Sequence, residues 1–205
     1  MLSFILVLIA AGSAFAQQRG FIESAHQAME NKNYTEAEKN YSQAIEVNAN
    51  YAPSFYGRGL ARYYLEKYDA AIDDFSEAIN LNQSYYEAFY GRGLAYMKNG
   101  NIGAAISDFQ RASDIDPNSF RAYYSLGKAY ADQKNHEKAL EAYNKAIELK
   151  PDYGLSYYGR GVVHELEGRK DLALQDFEKY LDMNANSEGL AGEVQRLIRE
   201  IKEGE

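Results

Sequence analysis

Few side chains in this sequence are of the kinds that do chemistry. The chain of 205 residues has no cysteine and three histidines, His26, His136 and His164. Without cysteine there are no disulfides, thiolate metal sites, iron–sulfur clusters or cysteine nucleophile. The histidines are widely separated and occupy unlike positions in the pattern described below, so no metal triad or histidine relay is suggested. Asp73-Asp74 is the nearest approach to a paired carboxylate. Adjacent helical residues point about 100° apart, so these two do not share a site. No nucleophile motif is present. The expectation is a non-enzyme with no cofactor and no metal.

A different constellation stands out. Tyr-Gly-Arg-Gly occurs three times, at Tyr56–Gly59, Tyr90–Gly93 and Tyr158–Gly161. Each arginine (Arg58, Arg92, Arg160) is followed 16 residues later by an aspartate: Asp74, Asp108 and Asp176. A Gly-x-Gly that lies inside a helical pattern, with no strand before it, is not a phosphate loop. The arginines could bind an anion or a carboxylate. The joint presence and absence of Arg and Asp favours a structural ion pair within each unit.

The elements that carry these motifs repeat every 34 residues. Five ungapped blocks align, 18–51, 52–85, 86–119, 120–153 and 154–187. Position 8 of the blocks is Ala25, Gly59, Gly93, Gly127 and Gly161, and position 20 is alanine in all five. Position 24 is Tyr41, Phe75, Phe109, Tyr143 and Phe177, and position 27 is Ala44, Ala78, Ala112, Ala146 and then Tyr180. Apolar and small residues spaced three and four apart predict two amphipathic helices per block, with a polar break near positions 15–16. Pro117 and Pro151 stop the second helix in two blocks, whereas Ala49, Gln83 and Ala185 stand there in the others and predict less sharply defined junctions. One such hairpin cannot bury its apolar face alone, so neighbours must stack. Blocks 120–153 and 18–51 lack the Arg/Asp pair, with Leu126 and Ala142 in the former and Ser24 and Asn40 in the latter.

These blocks resemble tetratricopeptide repeats. Phe120–Tyr153 carries Tyr123, Leu126-Gly127, Tyr130, Ala139, Tyr143, Ala146 and Pro151 at the family's positions. The resemblance spans 18–187 and implies an all-α solenoid of five repeats, a right-handed superhelix with a concave groove lined by the first helix of each hairpin. It also implies a protein-interaction scaffold that holds a peptide or partner protein in that groove. Groove positions then supply the candidate binding residues: Tyr56, Tyr90, Tyr124 and Tyr158 at position 5, with Tyr63, Lys98, Arg121 and Lys128 around them. Tyrosine offers a large, rigid face with a hydroxyl tip, well suited to binding surfaces. The Lys/Asn carboxylate clamp of some family members is absent.

Both termini carry further expectations. Residues 188–205, with Leu190, Val194, Leu197, Ile198 and Ile201 on one stripe, predict a capping helix, with a partner-docking amphipathic helix as the alternative. Residues 1–16 form an apolar run ending Ala14-Phe15-Ala16, the pattern of a cleaved signal peptide, and predict a mature start at Gln17 in a periplasmic or secreted protein. Sequons occur at Asn33, Asn40 and Asn82, of which Asn40 lies within a predicted helix. A net charge of -8 argues against nucleic acid as a partner, and no stable membrane anchor is expected after cleavage. The alternative function is a carbohydrate-binding module that stacks sugars on the tyrosines, against which the absence of tryptophan counts.

Overall fold

The computed structural model describes residues 2–184 and 189–204, with side chains described for 12–183 and 189–204. Among the described residues there are eleven helices and no strand. The chain divides into two compact units, 1–108 and 109–205.

The first unit holds α1 (Leu2–Glu30), α2 (Tyr34–Val47), α3 (Ala52–Tyr64), α4 (Tyr68–Leu81), α5 (Tyr86–Lys98) and the first half of α6 (Ile102–Ile115). The second holds the rest of α6, α7 (Phe120–Asp132), α8 (His136–Leu149), α9 (Gly154–Leu166), α10 (Lys170–Asn184) and α11 (Leu190–Glu203). Starts at 52, 86, 120 and 154 for the first helices, and at 34, 68, 102, 136 and 170 for the second, reproduce the 34-residue period. Residues 2–16 of the expected signal segment fall within α1, which continues without a break to Glu30.

The turn inside each hairpin is the same device five times. Position 15 (Lys32, Glu66, Gly100, Lys134, Gly168) has a positive φ of 56 to 79°. That left-handed residue ends the first helix. It turns the next backbone N–H back onto the last helical turn, as in Asn101 N to Tyr96 O at 2.9 Å and Asn135 N to Tyr130 O at 2.8 Å. Three of the five carry this conformation without glycine, at a cost of roughly 1–2 kcal/mol each. Asn33 and Asn135 then cap the second helix, their Oδ1 atoms accepting from the N–H groups of Glu36 and Lys138.

Junctions between blocks are better defined than their missing prolines suggest. Asn48 and Asn82 accept from the backbone N–H groups of Asn50 and Ser84 at 3.0 and 3.1 Å, as Asp116 does from Asn118 in front of its proline-bearing turn. A side-chain turn therefore replaces the proline. Ala185 lies outside the described residues.

Packing rests on small-on-large contacts. Phe75, Phe109 and Phe177 are fully buried. A Cβ at Gly59 would come within 2.8 Å of Phe75, and one at Gly91 in the next block within 2.9 Å of the same ring. Phe75 is thus held between two helices that approach because each lacks a side chain there. Gly127 and Gly159 do the same to Tyr143. At position 27 the alanines are completely buried, while Tyr180 meets α11 instead of another hairpin. The larger residue fits because a single amphipathic helix, with Val194 and Ile201 buried, follows it.

Candidate functional site

The three Arg/Asp pairs are ion pairs within their hairpins. Arg58 meets Asp74 at 2.7 Å, Arg92 meets Asp108 at 2.8 Å, and Arg160 meets Asp176 at 2.6 Å. The aspartates are only 3 to 5% exposed. Each arginine also donates through its other terminal nitrogen to position 25 of the preceding block: Ser42 at 3.2 Å, Ser76 at 2.9 Å and Asn144 at 2.6 Å. The arginine therefore ties its own hairpin to the one before it. Asp108 and Asp176 hold their partners Arg92 and Arg160 above the usual guanidinium range, chiefly through these hydrogen bonds. At Asp74, burial pushes the carboxyl up against the pull of Arg58 and of a second cation, Arg62, whose Nη1 donates to it at 2.9 Å. The sequence reading missed Arg62. Its position 11 holds Tyr96, Tyr130 and His164 in later blocks, so no pattern marked it.

His164 occupies that slot in the last repeat. It is buried, its Nε2 lies 4.0 Å from Asp176, and its Nδ1 has no hydrogen-bond partner among the described residues. Burial pulls its pKa below 6.5. His26 lies edge-on to Tyr41, and His136 faces Glu167 at 3.9 Å. Among the described residues no three His, Asp or Glu side chains stand together as a metal site.

The position-5 tyrosines are half-buried rungs. Tyr56 lies against Phe75 and Tyr85, with ring centres 5.9 and 5.2 Å away. Tyr124 lies against Tyr143 and Tyr153 at 6.0 and 5.3 Å. Tyr90 stacks on Tyr86. Each thus packs on its neighbours and offers its remaining face to solvent. Tyr63 touches Tyr64 and Tyr68 and joins the cluster around Phe75 with Tyr56 and Leu60. Lys98 is exposed at the end of α5. Arg121 is exposed, with its guanidinium over Phe120 at 5.7 Å.

In the second unit three expected residues converge. Tyr124, Lys128 and Tyr158 line a pocket of about 320 Å³. Leu155, Gly159, Val162 and Tyr143 share its lining, with Ala131 and Asp132 beside Lys128 on α7 and Leu190 from α11. Tyr158 donates its hydroxyl to the Glu193 carboxylate of α11 at 3.2 Å. Burial, followed by the Glu193 charge, pushes that phenol up to about 12. The apolar lining and the α11 contribution to it were not recognised from sequence. Leu155 and Val162 were not singled out there, and α11 lies outside the repeat. Where the fourth repeat lacks its ion pair, a second pocket of about 330 Å³ opens beside Leu126, Ala142, Tyr123 and Tyr130, with Lys138 and Lys145 among its lining.

Comparison with known proteins places the chain. A tetratricopeptide repeat family model matches residues 56–120, 90–154 and 124–188. The chain belongs to the tetratricopeptide repeat family, and its α-solenoid is a scaffold of the kind that binds peptides or proteins. A crystal structure of MamA is similar, with 27% identity, 78% of this chain and 94% of that chain covered, and a TM-score of 0.74. MamA from Desulfovibrio magneticus RS-1 shares the fold at 21% identity, covering 84% of this chain and 98% of that one with a TM-score of 0.78. YrrB, solved as a repeat protein with an unusual peptide-binding site, shares it at 23% identity, with 81% and 86% coverage and a TM-score of 0.69. No curated protein matches the sequence.

Proposed function

We propose that this protein is an exported, non-catalytic scaffold that docks an extended segment of a partner protein on the first helices of its repeats. The observation that carries the reading is the convergence of Tyr124, Lys128 and Tyr158 on one pocket that Leu155, Val162 and Leu190 also line. Half-buried tyrosines held by neighbouring rings are preorganised, so little side-chain entropy is lost when a partner settles on them. No catalytic step is assigned to any residue.

The export part rests on the apolar run ending Ala14-Phe15-Ala16. Phe15 is 68% exposed, and Gln18 is the first buried residue among those whose side chains are described. Loss of residues through Ala16 removes no described core side chain. Intact mass of the protein recovered outside the cytoplasm tests this, with Gln17 as the expected first residue. Full-length chain confined to the cytoplasm refutes it.

Peptide docking is tested by selecting binders from a random peptide library and measuring them by calorimetry. Tyr124→Ala with Lys128→Ala should weaken the selected peptides at least tenfold and leave the helical signal unchanged. Equal affinity in the variant refutes the site. A glycan reading keeps one observation: Tyr64 is 52% exposed and stacks on Tyr34 at 4.7 Å, an open aromatic face. Binding to envelope material that disappears after glycan-degrading treatment supports it.

A further inference from the structure

The terminal helix α11 was expected to be a cap, shielding the apolar end of the last repeat. Its position gives it more to do. Tyr180, Phe177 and Ala173 form the surface on which Val194 and Ile201 are buried, with Leu197 and Ile198 packed at the side. Polar contacts fix the helix along its length. Glu193 accepts from the Tyr158 hydroxyl at 3.2 Å. Lys202 pairs with Glu178 at 3.0 Å, and Lys170 donates to the Gly204 carbonyl at 3.3 Å. So anchored, α11 places Leu190, its first residue, against the pocket that holds Tyr124 and Tyr158.

The pocket is small. At about 320 Å³ it lies at the lower end of ligand pockets, which span roughly 300–1,000 Å³. Gly159 lets the Tyr143 ring press directly on α9, because a Cβ there would stand 2.5 Å from that ring. Leu155, Val162 and Leu190 give aliphatic walls, and the tyrosine rings give flat ones. The charges in its lining, Lys128 and Asp132, are one helical turn apart on α7 and of opposite sign. The lining therefore favours apolar bulk: a charged side chain would lose hydration to the aliphatic walls, and pairing with Lys128 or Asp132, both exposed, repays little of it.

We propose that α11 is part of the recognition surface: the pocket takes one long apolar side chain of a docked peptide, and Leu190 sets the size of the side chain it accepts. This rests on the reading that a peptide docks on this face. Leucine, methionine and phenylalanine are the residues of suitable bulk. The terminal helix thereby reads the ligand as well as closing the core, and a repeat alone would not have this preference.

The test is a displayed library of random heptapeptides, panned in parallel on the wild-type chain, Leu190→Ala, Leu190→Met and Leu190→Phe. Wild type and Leu190→Met should enrich one position for leucine, methionine or phenylalanine. Leu190→Ala should shift that position to phenylalanine and tryptophan, and Leu190→Phe to valine and alanine. Calorimetry on synthetic copies should show a change of at least tenfold in the ratio of affinities for a bulky and a small anchor. Thermal melts monitor folding. If Leu190→Ala loosens α11, the opposite shift in Leu190→Phe still decides the question. Peptides enriched with the same preference by all four proteins overturn the role of Leu190 and leave peptide docking standing. No enrichment even on wild type overturns the docking reading and this proposal together.

Discussion

The third and fourth repeats answer the same packing problem in different ways. In the third, Arg92 and Asp108 form a paired bond between α5 and α6, and Arg92 also reaches back to Ser76. In the fourth, Leu126 and Ala142 stand in those places, both buried, and the polar reach is made instead by Gln110, which donates to the Tyr130 hydroxyl at 2.8 Å. The fold accommodates both because either set is internally consistent. A buried charge with its partner and a buried apolar pair are each tolerable, whereas half of one set is not. The ionic version fills its space with a guanidinium and adds a directional bond to the preceding repeat. The apolar version leaves about 330 Å³ of open pocket beside it.

The sharpest way to break the comparison is to make a mixed repeat. Arg92→Leu strands Asp108, which is 5% exposed, and should destabilise the protein by about 3 kcal/mol in urea unfolding. Adding Asp108→Ala reproduces the fourth repeat's pair and should recover most of that loss, with a coupling energy of about 1–3 kcal/mol. If the double variant costs the sum of the single changes, the two residues act independently. Arg58→Leu should be milder than Arg92→Leu, since Arg62 still holds Asp74 at 2.9 Å.

Next in size is the shared core. Gly91→Ala places a Cβ 2.9 Å from the Phe75 ring, already confined by Gly59. Overpacking of this kind costs about 1–3 kcal/mol. Alanine's better helix propensity returns at most about 1 kcal/mol. A net loss in melting temperature is therefore expected, while a stabilised Gly91→Ala would show that Phe75 has room to move.

A smaller effect should come from grafting the ionic pair into the fourth repeat. Leu126→Arg with Ala142→Asp should change stability by no more than about 1 kcal/mol, because the pair's attraction roughly repays its desolvation. Leu126→Arg alone should be clearly worse. Equal losses for the single and double variants would show that the local backbone does not let the two groups meet.

The smallest effect concerns pH at position 11. Burial lowers the His164 pKa from 6.5, with Asp176 pulling the other way and Arg160 and Arg169 adding to the lowering. Glu167 also opposes the lowering. The unfolded chain therefore takes up the proton first as pH falls. The stability from neutral His164 is complete above about pH 6.5 and declines below it. His164→Tyr, the residue type found at Tyr96 and Tyr130, should flatten the melting profile between pH 7 and the acid limb relative to wild type. An unchanged profile would assign that slope to other groups.

Particular residues show how far the sequence could be read. The 34-residue period, the helix pair in each block and the Arg/Asp partnership were all legible. A repeat shows the same local pattern five times, and a pair that appears and vanishes together exposes its own contact. Arg62 was not legible as the second partner of Asp74, since it occurs in one block and nothing varies with it. Ser42, Ser76 and Asn144 are the third members of the ionic clasp, but they lie in the preceding block and differ in type. The candidate tyrosines were identified by register. Their half-burial against Tyr85 or Tyr153 depends on how one hairpin seats on the next.

The sequence by itself determined the elements: which segments are helices, where they turn, and which small residues must meet which rings. It could do so because helix periodicity, capping and small-residue spacing act over a few residues and recur in every block. The tertiary structure alone decided which rungs share a pocket, what else lines it, and that α11, outside the repeat and matched to nothing within it, supplies part of that lining. Those features come from side chains up to 66 residues apart, Tyr124 and Leu190 among them, brought together only by stacking whole hairpins.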